Sequence, residues 1–188
     1  MSVLAFALIL QGCGHKVERI NIDDTIDLSG RWNDSDSRMT AQAMVDQILT
    51  HNWLTDFMSY NRGNKPVVVV GLVYNKSHEH IDADTYIKDI ERSFINSGKV
   101  RLVQAGDKRE ELRRERADQQ SFASLETAKR WGKELGADFM LNGDINSIVD
   151  SYNKKKVVYY QINLELSNLE TNEVVWIGEK KIRKYIKN

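Results

Sequence analysis

The sequence predicts an α/β fold: a single domain built on a mixed sheet of about five strands flanked by helices. Three observations predict it. Val67-Val68-Val69-Val70-Gly71-Leu72-Val73-Tyr74 is an apolar run of strand length, as expected of a strand buried on both faces. A helical stretch and then Val100-Arg101-Leu102-Val103 follow at the spacing of a βαβ unit, so these two strands should lie parallel. The C-terminal part alternates apolar and polar residues with period two, the mark of strands with one wet face.

Taken in order, residues 14–33 are mostly polar and read as a tether, in which Ile20 and Ile22 alternate as in an edge strand and Trp32 packs on the domain. Ser35 or Asp36 caps a helix running to about Met58, with Ala41, Met44, Val45, Ile48 and Leu49 on one face. Residues 60–65 turn, and Pro66 opens the first strand. Asn75 to Asp82 is a loop. Asp84 caps the next helix, with Ile87, Ile90, Phe94 and Ile95 on its apolar face and Gly98 at its end.

The highly charged stretch Asp107–Gln120 reads as a solvated helix supported by pairs such as Glu110–Arg114. Ser124 then caps a helix from Leu125 to Leu135, ended by Gly136-Ala137-Asp138. Three strands close the chain. In the first, Phe139, Leu141, Gly143 and Ile145 face one way, and Met140, Asn142, Asp144 and Asn146 the other. In the second, Val158, Tyr160, Ile162, Leu164 and Leu166 alternate with polar residues. Glu170-Thr171-Asn172-Glu173 turns into the third, which starts at Val174 and ends in a basic tail, Lys180 to Lys184.

Composition narrows the function. The 188 residues carry 27 acids and 27 bases, so the net charge is zero, which argues against general nucleic-acid binding. Cys13 is the only cysteine, and it excludes an intramolecular disulfide. It ends Leu10-Gln11-Gly12-Cys13, behind the apolar run Val3–Leu10, which is too short to span a bilayer. This is the pattern of a lipoprotein processing site: the thiol receives the lipid, and small Gly12 lets the peptidase reach the backbone. The chain therefore divides into a signal peptide (1–12), a lipid-anchored tether (13–33) and a globular domain (34–188).

No catalytic motif is present: no Gly-x-Ser-x-Gly, no phosphate loop and no His-Glu-x-x-His. No cofactor is implied, and the chain reads as a non-enzyme. His78-Glu79-His80, with Asp82 and Asp84 nearby, is the one stretch with metal-ligand chemistry. It lacks a third well-placed ligand, so no metal site is assigned.

Several stretches together resemble the penicillin-binding-protein activators, the LpoB-type lipoproteins. They are Asp27-Leu28-Ser29-Gly30-Arg31-Trp32-Asn33-Asp34, Pro66–Gly71, Asn75 with Glu79-His80-Ile81-Asp82, Asn96–Val100, Leu135–Asp138, and Leu166 to Trp176. Their order and spacing, behind a lipobox, carry the resemblance over residues 27–184. It implies a domain like the N-terminal domain of TolB, on a lipoprotein anchored in the outer membrane and facing the periplasm. It also implies a partner, a class A penicillin-binding protein, bound and activated without chemistry by the activator. Of the positions that the family's partner surface suggests, the turn acid is Glu173, and the position after Leu141, often aromatic in the activators, is Asn142. The alternative is a structural or assembly lipoprotein of a secretion or surface-appendage complex, like the curli-pore family. The short tether favours it: about 22 residues between Cys13 and the first helix reach at most about 75 Å.

Overall fold

The computed structural model describes residues 17–21, 24–103 and 136–187. The signal peptide, Cys13 and the two helices expected over 107–135 lie outside these residues. The described elements are α1 (Asp34–Thr50), α2 (Asn52–Tyr60), β1 (Val67–Lys76), α3 (Ala83–Ser97), β2 (Arg101–Leu102), β3 (Phe139–Tyr152), β4 (Lys155–Asn168) and β5 (Val174–Lys187). One sheet holds all five strands in the order β2-β1-β3-β4-β5. Strand β1 pairs in parallel with both β2 and β3, and the pairs β3–β4 and β4–β5 are antiparallel. The mixed α/β sheet of five strands is therefore as the sequence predicts.

The core lies between this sheet and the helices. Ala41, Met44, Val45 and Ile48 of α1 and Tyr86, Ile90 and Phe94 of α3 are fully buried against Val68, Leu141, Ile145, Val158, Tyr160, Ile162, Leu164 and Leu166. The expected alternation in β3 and β4 is thus the alternation of burial. The opposite face of β1 and β3 carries a smaller apolar cluster, Val69, Ala137, Met140 and Leu169, so β1 is buried on both faces. The two faces of β1 change parity midway. Val70 pairs with Leu141 but Val73 pairs with Gly143, so β1 holds one extra residue, a bulge at Gly71-Leu72.

Several local expectations are corrected. The first helix is capped by Asn33, whose side chain accepts from the Asp36 backbone N–H at 3.0 Å, while Asp36 accepts from the Asn33 N–H at 3.0 Å. This reciprocal capping box starts the helix earlier than Ser35 would. The helix also breaks at His51, whose extended backbone separates α1 from α2. The indole of Trp53 donates to the carbonyl of Ile48 at 2.8 Å and so takes a helix-end acceptor across the break. Asp82, not Asp84, caps α3 through two backbone N–H groups, and Ile95 is exposed rather than on the buried face. Gly98 ends α3 in the left-handed conformation, as expected. Ile20 is exposed and outside the sheet. The basic residues 180–184 are not a tail: β5 continues through them to Lys187.

Candidate functional site

At one end of the sheet, α2, the segment 136–139 and the β4–β5 turn enclose an open groove of about 840 Å³. Its floor is aromatic. Trp53 and Phe57 of α2 meet Phe139 edge-on, at ring-centroid distances of 4.9 and 5.3 Å. Its rim is acidic and includes Asp56, Asp138, Glu170 and Glu173. Asp138 is committed to the fold, accepting from the Val67 N–H at 2.8 Å and so fixing where β1 starts. Tyr60 and Val174, both on the rim, are exposed.

Glu173 is held at this rim by a built turn. The Asn168 side chain accepts from the N–H groups of Glu170 and Thr171 at 2.8 and 3.0 Å, an Asx-type arrangement. Asn172 adopts a positive φ of 66°, and the Asn168 N–H donates to the Glu173 carbonyl at 2.8 Å. The Thr171 hydroxyl donates to the Glu173 carboxylate at 3.3 Å. The carboxylate is thus exposed yet positioned.

Asn142 lies elsewhere. It sits in β3 beneath the β1 bulge, where its side-chain oxygen accepts from the Leu72 N–H at 3.2 Å. The fit is close: a Cβ on Gly71 would lie 2.1 Å from that oxygen. Asn142 satisfies a backbone donor that the bulge takes out of the ladder. The fold does not bring it together with Glu173, because β4 lies between their strands.

The His78–His80 loop is built for structure. His78 Nδ1 lies 2.6 Å from the Ser147 hydroxyl, and its Nε2 lies 3.3 Å from Glu79. The other Glu79 oxygen accepts from the Trp32 N–H at 3.0 Å. His80 is exposed. Among the described residues, no three His, Cys, Asp or Glu side chains are grouped to hold a metal ion.

Two features were not anticipated. On the sheet face turned away from α1 and α3, a polar ladder runs from strand to strand. Lys76 Nζ lies 3.1 Å from Asp144, Asn163 donates to Asp144 at 2.8 Å, Gln161 to Asn163 at 2.8 Å, and Tyr159 to Gln161 at 3.0 Å. Partial burial opposes ionisation of Asp144, but the Asn163 hydrogen bond and the Lys76 ammonium outweigh it, so its pKa lies below the ordinary 3.8.

The second feature is Lys184, inside the expected basic tail yet only 8% exposed. Its three donors meet three acceptors: Asp27 at 2.8 Å, Asp36 at 2.5 Å and the Arg31 carbonyl at 2.8 Å. Burial pushes its pKa down, but its hydrogen bonds to Asp27 and Asp36 prevail and raise it above the ordinary 10.5. Gly30, at φ 67°, lies against Ile186, where a Cβ would come within 2.3 Å of the side chain. Trp32 meets Tyr160 and Tyr86 edge-on at 5.5 and 6.2 Å. The stretch Asp27–Asn33 is thereby fastened to β5 and to the core.

The elements define an α/β domain with an open groove at one end of its sheet and an acid positioned at the groove's rim. The model of the peptidoglycan-synthase activator LpoB matches residues 36–182, and the chain belongs to that family. The family is one of regulators of peptidoglycan synthesis, and its members are outer-membrane lipoproteins. The fold is that of the LpoB C-terminal domain from Salmonella enterica, with a TM-score of 0.53 at 17% identity over 78% of this chain and 98% of that one. It is likewise similar to LpoB of Escherichia coli, with a TM-score of 0.51 at 15% identity over 100% of this chain and 83% of that one. No curated protein matches the chain in sequence. No helix among the described residues is long and apolar enough to cross a membrane.

Proposed function

We propose that the chain is a non-catalytic lipoprotein, anchored through Cys13 in the outer membrane, that binds and activates a class A penicillin-binding protein in the periplasm. The family match over residues 36–182 carries this reading. The groove beside the β4–β5 turn is the docking surface. It combines an aromatic floor, which desolvates on contact, with an acidic rim, which selects a basic counterpart. Glu173 is the contact residue of this groove, and Asn142, outside it beneath the β1 bulge, is a second and separate contact position. Activation is then a coupling free energy: the domain binds the active state of its partner more tightly than the inactive one.

The test is a pull-down of membrane proteins with the chain from Gly14 onward, followed by a glycan-polymerisation assay of the recovered synthase. The expected result is recovery of a class A synthase and faster polymerisation. Recovery of no synthase, with no change in polymerisation, would refute the reading. Glu173→Lys should weaken the recovered interaction at least about tenfold, as loss of a positioned charge at an interface does. Its melting temperature should stay unchanged, because the carboxylate is exposed.

A further inference from the structure

The end of the sheet opposite the groove has its own chemistry. There the β3–β4 hairpin and the end of β5 carry Lys154, Lys155, Lys156, Arg183 and Lys187. Asp150 is the only acid within residues 150–157 and 180–187. Lys155 and Lys187 stand directly opposite one another across β4 and β5, an arrangement that costs stability by itself. Neither has an ion-pair partner among the described residues, nor do Lys154 and Lys156. Interleaved with these bases are three exposed apolar side chains: Ile148 at 66%, Tyr152 at 77% and Tyr185 at 60%. Arg183 lies over the ring of Tyr159, 6.0 Å from its centroid.

The path of the N-terminal segment adds an independent observation. From Trp32, beside Tyr160, it runs to Gly30, beside Ile186, whose strand partner is Lys156. The turn at Gly30 thus lies beside the basic end, while the residues before it return so that Asp27 meets Lys184. Between Asp27 and Cys13 there remain about 14 residues, which reach at most about 50 Å.

We propose that this basic, tyrosine-bearing end docks on an anionic phospholipid surface, so that the domain stands on the membrane with its groove pointing away. The inference rests on the reading of Cys13 as the lipid anchor for its orientation, though not for the docking itself. Lysines attract anionic headgroups, each worth roughly a fivefold gain in binding near the surface. Tyrosine rings and Ile148 suit the headgroup boundary, where one end of a side chain is apolar and the other wet. The anionic surface relieves the Lys155–Lys187 repulsion.

The test uses residues 14–188, which keep every contact described above and carry no acyl chain. Co-sedimentation is measured with vesicles of phosphatidylethanolamine, with and without phosphatidylglycerol. The chain should sediment with the phosphatidylglycerol vesicles at low salt, be released at high salt, and stay in solution with phosphatidylethanolamine alone. The triple substitution Lys154→Gln, Lys155→Gln, Lys187→Gln should weaken binding about a hundredfold with an unchanged thermal melt. Glu173→Gln, at the far end, should leave binding as it is. Equal binding by the triple variant would overturn the proposal, as would no binding at low salt or retention by isolated peptidoglycan in place of vesicles. Mass analysis of the full chain from membranes reads the anchor separately. An acylated Cys13 with no vesicle binding overturns the docking alone, and an unmodified Cys13 with salt-sensitive vesicle binding overturns the anchor alone.

Discussion

Lys184 is the residue on which the N-terminal stretch depends. It is a buried cation whose donors are all satisfied, and removing it leaves Asp36 buried without its counter-charge. Lys184→Met should therefore cost about 3–5 kcal/mol, read as a shift in the urea midpoint. The pH profile follows from the direction of two shifts. The pKa of Lys184 is raised, so its contribution is complete below 10.5 and is lost as pH rises beyond that value. The pKa of Asp144 is lowered, so its contribution is present above 3.8 and is lost as pH falls below it. Urea midpoints measured across pH should lose their alkaline decline in Lys184→Met and part of their acid decline in Asp144→Asn. Sequence alone hides both roles. Lys184 belongs to a run of bases that reads as solvated, and its acceptors lie more than a hundred residues away.

Among the elements, β3 and β4 are the most tightly specified. Their fourteen paired positions run without a shift, and at Gly143 β4 lies where a side chain would be. A Cβ there would lie 2.2 Å from the carbonyl oxygen of Asn163. Gly143→Ala should destabilise by about 1–3 kcal/mol and speed amide exchange in β3 and β4. The strands were legible in the sequence because burial on one face imposes period two, and the parallel β1–β2 pair because a helix separates them. The break at His51 was not legible, since neither glycine nor proline marks it and a tertiary contact of Trp53 stabilises it. The bulge at Gly71-Leu72 was equally hidden, because a run of valines shows no change of parity. Glu173 was legible as a turn acid. The groove beside it was not, because its walls come from α2, β3 and the β4–β5 turn.

For the whole molecule, a net charge of zero conceals a separation. The groove end is rimmed by acids, the hairpin end is basic, and β4 spans the distance between them. Fourteen residues of strand at about 3.3 Å each put the two ends roughly 45 Å apart. Over that distance in salt the two surfaces are screened from one another. Glu173→Lys and the triple lysine substitution should therefore act independently, and in a combined variant their effects on synthase binding should add within about 0.5 kcal/mol. The fastening of Asp27–Trp32 along β5 has a mechanical side. A pull applied at the N-terminal segment and resisted at the Glu173 turn runs parallel to β4 and β5. It loads their ladder hydrogen bonds together, in shear, instead of peeling them apart one at a time. On the proposed reading, a domain held between a membrane and a bound enzyme is strongest along that line, with the Lys184 cluster as the first link to carry the tension.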